Sequence, residues 1–180
     1  LRLVQMDPAS PEPEVIATSY TGGAHCCERM QIAAVQPDGS WAMSAMGLFD
    51  GGYSVYDPNE DGFGEIEVAD QSFLYTFHCY ACSHPPSLYY KIVEGQLMNV
   101  SQDPDFLHTY AGALLDFDSI ESMSDAPGRV AGWAAVRARL GEGEQALREI
   151  EALNIAASTT YDVCATGQPI FECAPGNTRQ

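Results

Sequence analysis

Nine residues, Asp57-Pro58-Asn59-Glu60-Asp61-Gly62-Phe63-Gly64-Glu65, constrain this chain more than any other stretch. Oxygen-bearing side chains recur at every second position, Asp57, Asn59 and Asp61, before Gly62 and a closing Glu65. Hard cations such as Ca²⁺ take six to eight oxygens on a tight, flexible loop. The alternation lets three side chains point inward together, and Gly62 permits the sharp turn that brings the Phe63 carbonyl in as a further ligand. The run begins like an EF-hand loop but does not end like one. Twelfth from Asp57 stands Val68, where an EF-hand carries a bidentate Glu. The residues that follow, Glu65-Ile66-Glu67-Val68-Ala69, alternate with the period of a strand, not of a helix.

A D-x-N-x-D-G-x-x-E loop running straight into a strand resembles the calcium loops of FG-GAP/VCBS repeats, the integrin-α-like β-propeller modules. The resemblance extends over roughly residues 5–100. It implies Ca²⁺ as cofactor, held by the side chains of Asp57, Asn59, Asp61 and Glu65 and the carbonyl of Phe63. An acidic surface turn with no ion is the alternative reading of the same residues.

A repeated order of strands fits this expectation. Glu14–Tyr20 reads as a strand from its β-branched and aromatic content. Met30–Val35 and Trp41–Met46 flank the turn signal Pro37-Asp38-Gly39-Ser40 as a hairpin. The second pass runs Glu65–Ala69, Phe73–Phe77, Leu88–Val93 and Gln96–Val100. Glu14-Val15-Ile16 answers Glu65-Ile66-Glu67, His25-Cys26 answers His78-Cys79, and Asp38-Gly39 answers Glu94-Gly95. The period is about 50 residues, in the range of propeller-type blades. In the first copy Met6-Asp7-Pro8-Ala9-Ser10-Pro11 lacks the alternating ligands, so one calcium site is expected. Two copies cannot close a propeller.

Beyond Ser101 the period changes. Asp103-Pro104-Asp105 and Ser124-Asp125-Ala126-Pro127 are helix starts, and Gly141 ends a stripe of Val130, Trp133, Val136 and Leu140. A further helix over Glu144–Leu153 completes an αα-hairpin. The expected fold is mainly β with a helical C-terminal part (α+β): a duplicated antiparallel module over 1–101, a helical appendage over 102–154, and a tail over 155–180 pinned by Cys164 and Cys173.

Charge and cysteine usage bound the function. Eight Lys and Arg face 25 Asp and Glu, a net charge of −17, which repels phosphate backbones and argues against nucleic-acid partners. No apolar run approaches the roughly 20 residues needed to span a bilayer. The chain begins at Leu1, as a processed chain would. Six cysteines, Cys26, Cys27, Cys79, Cys82, Cys164 and Cys173, fit a disulfide framework and a secreted or periplasmic location. Adjacent cysteines form a small ring, so Cys26 and Cys27 are expected to bond Cys79 and Cys82. Two other uses of this cluster remain open. His25, Cys26, Cys27, His78, Cys79, Cys82 and His84 form a donor set for Zn²⁺ or Cu(I), and Cys79-x-x-Cys82 has the spacing of a thiol–disulfide centre. No hydrolase, metalloprotease or phosphate-loop motif is present. The function expected is a non-catalytic structural, adhesive or assembly module with a protein partner or self-association. A Cys/His metal or redox protein is the alternative.

Overall fold

In a computed structural model the described residues are 1–23, 26–77, 79–123 and 126–153, with 163–164 and 178–179 described as backbone. They form two units, Leu1–Gln71 with Ser87–Phe106, and Ser72–Pro86 with Leu107–Gln180.

Alternating apolar and polar residues build two four-stranded antiparallel sheets in the first unit. The first runs β1 (Arg2–Val4), β2 (Glu14–Tyr20), β3 (Glu28–Val35) and β4 (Trp41–Phe49), and its spatial order is its chain order. The second repeats that order with β5 (Tyr53–Tyr56), β6 (Glu65–Ala69), β7 (Ser87–Val93) and β8 (Gln96–Asn99). Both are simple meanders. One apolar core spans them: Met6, Ile16, Met30 and Ile32 from the first pack with Val55, Ile66, Val68 and Ile92 from the second. A bulge between Met30 and Gln31 shifts the register with β4, from Met30 opposite Gly47 to Gln31 opposite Ala45.

The short strands β1 and β5 were not legible as strands, because three or four residues carry too little period to register. The strand expected over Phe73–Phe77 does not form. Gln71–Phe73 is a 3₁₀ turn, and Tyr75 has a positive φ of 59°. β7 pairs directly with β6, Ile66 opposite Tyr90, which leaves no free ladder there for an intervening strand. The Phe73 and Phe77 rings meet at 5.5 Å instead.

The second unit is helical. It holds α1 (Leu107–Ala113), α2 (Pro127–Arg139) and α3 (Gly143–Ala152). Pro127 opens α2, where its missing N–H costs nothing, and Gly141, at φ 81°, provides the break before α3. Ile120, Met123, Val130, Trp133 and Ala146 form its core. Arg137 lies over the Trp133 ring at 4.8 Å and reaches Glu149 on α3 at 3.3 Å. Residues 163–164 and 178–179 pair as two-residue antiparallel strands. The expected Cys164–Cys173 bridge lies outside the described residues.

Candidate metal site

The loop over 57–65 connects β5 to β6 and is wound around its own acidic side chains. Asp57 Oδ1 accepts from Asp61 N at 3.1 Å, and Asp57 Oδ2 accepts from Gly62 N at 2.8 Å. Asp61 Oδ1 accepts from Phe63 N at 2.9 Å, and Asn59 Nδ2 donates to Asp61 Oδ2 at 3.0 Å. Such side-chain-to-backbone bonds fix a tight turn without secondary structure. Gly62 takes φ 89°, which the winding requires. Gly64 donates to Gln5 O at 2.8 Å, and a Cβ there would meet Val4 Cγ1 at 2.8 Å, so only glycine lets the loop lie against the first sheet.

Glu65 ends the loop as the first residue of β6. It is 1% exposed, and its Oε2 has no hydrogen-bond partner. Burial pushes its carboxyl up to about 7, with the charges of Asp61 and Asp57 adding to the shift and Lys91 opposing it. Asp57, Asp61 and Glu65 therefore share one electrostatic neighbourhood, strongly negative and partly desolvated. The loop's carboxylates spend lone pairs on the loop's own amides. Among the described residues no group of three or more His, Cys, Asp or Glu side chains is placed so that it could hold a metal ion.

The cysteine cluster is arranged differently from expectation. Cys79 bonds Cys82, with Cα atoms 5.1 Å apart, so neither is bonded to Cys26 or Cys27. The C-x-x-C span folds as a 3₁₀ turn over Tyr80–Cys82, in which the Cys82 N–H donates to Cys79 O at 3.0 Å. That turn brings the two sulfurs together locally and removes the incentive for a distant partner. As a disulfide, Cys79 and Cys82 hold no thiolates for Zn²⁺ or Cu(I). His84 is held below its ordinary pKa, first by burial and then by the Arg129 charge, and its ring meets Phe117 at 6.3 Å. His25 and His78 lie outside the described residues.

A second buried glutamate escaped the sequence reading. Glu14, the first residue of β2, is also 1% exposed with an unpartnered oxygen, Oε1. Its Oε2 accepts from Met6 N at 2.7 Å and from Asp7 N at 3.3 Å. The pair Asp7-Pro8 before it answers Asp57-Pro58 before Glu65. That shared dipeptide is the signal that marks the two loops as equivalents.

Two curated proteins are similar to this chain. A probable thylakoid lumen protein of Synechocystis is 34% identical over 149 residues, which cover 79% of this chain and 44% of that protein. An uncharacterized protein of Sinorhizobium fredii is 31% identical over 150 residues, covering 81% of this chain and 24% of that protein. The chain spans less than half the length of either relative. No family model matches the chain, and no solved structure does. Among the described residues no helix is long and apolar enough to cross a membrane.

Proposed function

We propose that the chain is an extracytoplasmic, non-catalytic β module that binds one Ca²⁺ in the Asp57–Glu65 loop and uses it to stiffen a structural or assembly surface. The observation that carries this reading is Glu65. A carboxylate buried to 1% exposure, with an oxygen that nothing donates to and with Asp57 and Asp61 adding to its charge, is stabilised by a cation. The side chains of Asp57, Asn59, Asp61 and Glu65 and the Phe63 carbonyl would hold the ion, as the resemblance to FG-GAP/VCBS loops implies. All are oxygen donors, which suits Ca²⁺ over softer metals. To bind, Asp57 and Asp61 exchange some loop amides for the ion, and the metal takes over the organising role those bonds now play.

Three observations support the location. One relative is named a probable thylakoid lumen protein. Cys79 and Cys82 are bonded, which fits an oxidising compartment. The surface is strongly acidic, at −17.

Calorimetric titration of calcium into chelator-treated protein, paired with melting curves, tests the site. One Ca²⁺ per chain and a melting temperature that rises with free calcium are expected, since a ligand of the folded state stabilises it by mass action. Glu65→Gln should abolish both responses. Wild-type protein with neither heat of binding nor a shift in melting would sink the reading.

A further inference from the structure

The connection from β6 to β7, described over residues 72–77 and 79–86, lies within the helical unit as a strap on α2. Two contacts seat it there. The Phe73 and Phe77 rings wall one side of an apolar groove of about 510 Å³, opposite Val130 and Ala134 of α2 and Leu147 and Ile150 of α3. Further along, the strap's backbone presses on α2 at Gly132, where a Cβ would collide with the His84 carbonyl oxygen. Between these contacts Tyr75 takes φ 59°, a left-handed conformation that a bulky side chain holds only under constraint. The constraint is local. The Tyr75 N–H donates to Ser83 Oγ at 3.3 Å, Ser83 Oγ donates to Cys79 O at 3.0 Å, and the Tyr75 and Tyr80 rings meet at 5.6 Å. The Cys79–Cys82 disulfide closes the turn from which Ser83 and Tyr80 reach Tyr75.

We propose that Cys79–Cys82 is a reducible redox site and that the strap reads its state. Three features set this bond apart from a framework disulfide. It joins residues at a sequence separation of 3, so it removes little freedom from the unfolded chain and acts locally. Cys79 is exposed and Cys82 half-buried, so an incoming thiolate has access to the pair from the Cys79 side. Backbone bonds from Cys82 N to Cys79 O at 3.0 Å and from Ser83 N to Tyr80 O at 3.1 Å bring the sulfurs near each other without the covalent link, so the bond can re-form. The reductant is a dithiol. Its thiolate attacks Cys79 Sγ, the S–S bond breaks, and Cys82 leaves as a thiolate that takes up a proton. The donor's second thiol, ionised, then attacks the mixed disulfide and releases Cys79, which is protonated in turn. Two electrons and two protons pass to the strap, and the donor is left as a disulfide. Two backbone bonds in an open 3₁₀ turn cannot by themselves hold Tyr75 strained. On reduction Tyr75 relaxes, and Phe73 and Phe77 lift from the groove.

Dithiothreitol titrated onto the intact protein tests the proposal. Alkylation with peptide mass mapping reads Cys79 and Cys82 apart from the other cysteines, chymotrypsin reads the strap, and far-ultraviolet circular dichroism reads the fold. The pair should be reduced at dithiol concentrations that leave the dichroism spectrum unchanged. Cleavage after Tyr75 or Phe77 should then rise roughly tenfold or more, because cutting tracks the population of the opened strap. Reoxidation should restore the slow rate. The double variant Cys79→Ser with Cys82→Ser should be cut at the fast rate with or without dithiol, which separates this pair from the other cysteines as the cause. Reduction of Cys79–Cys82 only as the whole protein unfolds would overturn the proposal. So would a strap cut at one rate in the oxidised protein, the reduced protein and the double variant. The response should be the same in calcium and in chelator, so the calcium reading stands or falls separately.

Discussion

Glu14 and Glu65 begin equivalent strands, β2 and β6, and each is 1% exposed, yet their loops treat the buried carboxylate in opposite ways. The first loop brings the Met6 and Asp7 amides onto Glu14, so the negative charge is met by donors. It also turns Asp7 away, to accept from Gly95 N at 2.6 Å and Ala9 N at 2.9 Å. The second loop supplies no donor to Glu65 Oε2 and adds the charges of Asp57 and Asp61. Each glutamate keeps one unpartnered oxygen, but the first loop meets the other with two amides while the second sets two further carboxylates beside it. The lesson is that an acidic residue at the head of a strand specifies nothing alone; what meets it decides whether it is structural or a ligand.

The largest effect that separates the two loops is expected from alanine at each glutamate, measured by denaturant unfolding in chelator. Glu14→Ala leaves two buried amides without an acceptor and should cost about 3 kcal/mol. Glu65→Ala removes a buried carboxyl whose ionised form the calcium-free fold disfavours, so above pH 7 its loss of packing should be largely compensated. Equal losses at the two positions would break the comparison.

A smaller and more diagnostic effect lies in pH. The Glu65 carboxyl is pushed up from its ordinary 4.5 to about 7, so the calcium-free fold binds a proton that the unfolded chain releases. Stability from this group is therefore present below pH 4.5 and is lost as pH rises through about 7. The loss should be on the order of 1–3 kcal/mol, read as wild type minus Glu65→Gln so that the other carboxylates cancel. Saturating calcium, which requires the ionised carboxylate, should abolish the slope, and calcium affinity should climb with pH across the same window. A difference curve flat in chelator would show that Glu65 is ionised without help.

Much of this contrast was readable in advance, though not all. The ends of β2 and β6 are legible because Glu-Val-Ile and Glu-Ile-Glu-Val carry a clear period-two pattern. The loop over 57–65 was conspicuous because its oxygen-bearing side chains stand at fixed spacing. The role of the first loop is not legible in its residues, because it meets Glu14 with backbone amides, which leave no trace in residue identity. Phe73–Phe77 read as a strand from β propensity alone, and the pairing of β6 with β7 overrode that preference. The bonding of Cys79 to Cys82 was missed for a similar reason, since it depends on a local 3₁₀ turn that four residues do not announce.

The smallest expected effect comes from aspartate to asparagine at the equivalent positions 7 and 57, which preserves shape and removes one acceptor oxygen. Asp7 is 1% exposed and both its oxygens accept from amides, Oδ2 from Gly95 and Oδ1 from Ala9. Asp7→Asn must turn an NH₂ toward one of those donors, and a loss of about 1–2 kcal/mol is expected irrespective of calcium. Asp57 accepts from Asp61 N and Gly62 N in an exposed loop where water can substitute, so Asp57→Asn in chelator should cost within about 0.5 kcal/mol. The order reverses when calcium is added. Asp7→Asn should leave the calcium isotherm unchanged, while Asp57→Asn removes a ligand charge and should weaken binding roughly tenfold. If Asp57→Asn left the isotherm unchanged while Asp7→Asn shifted it, the roles assigned to the two loops would be interchanged, and the ion would belong beside Glu14.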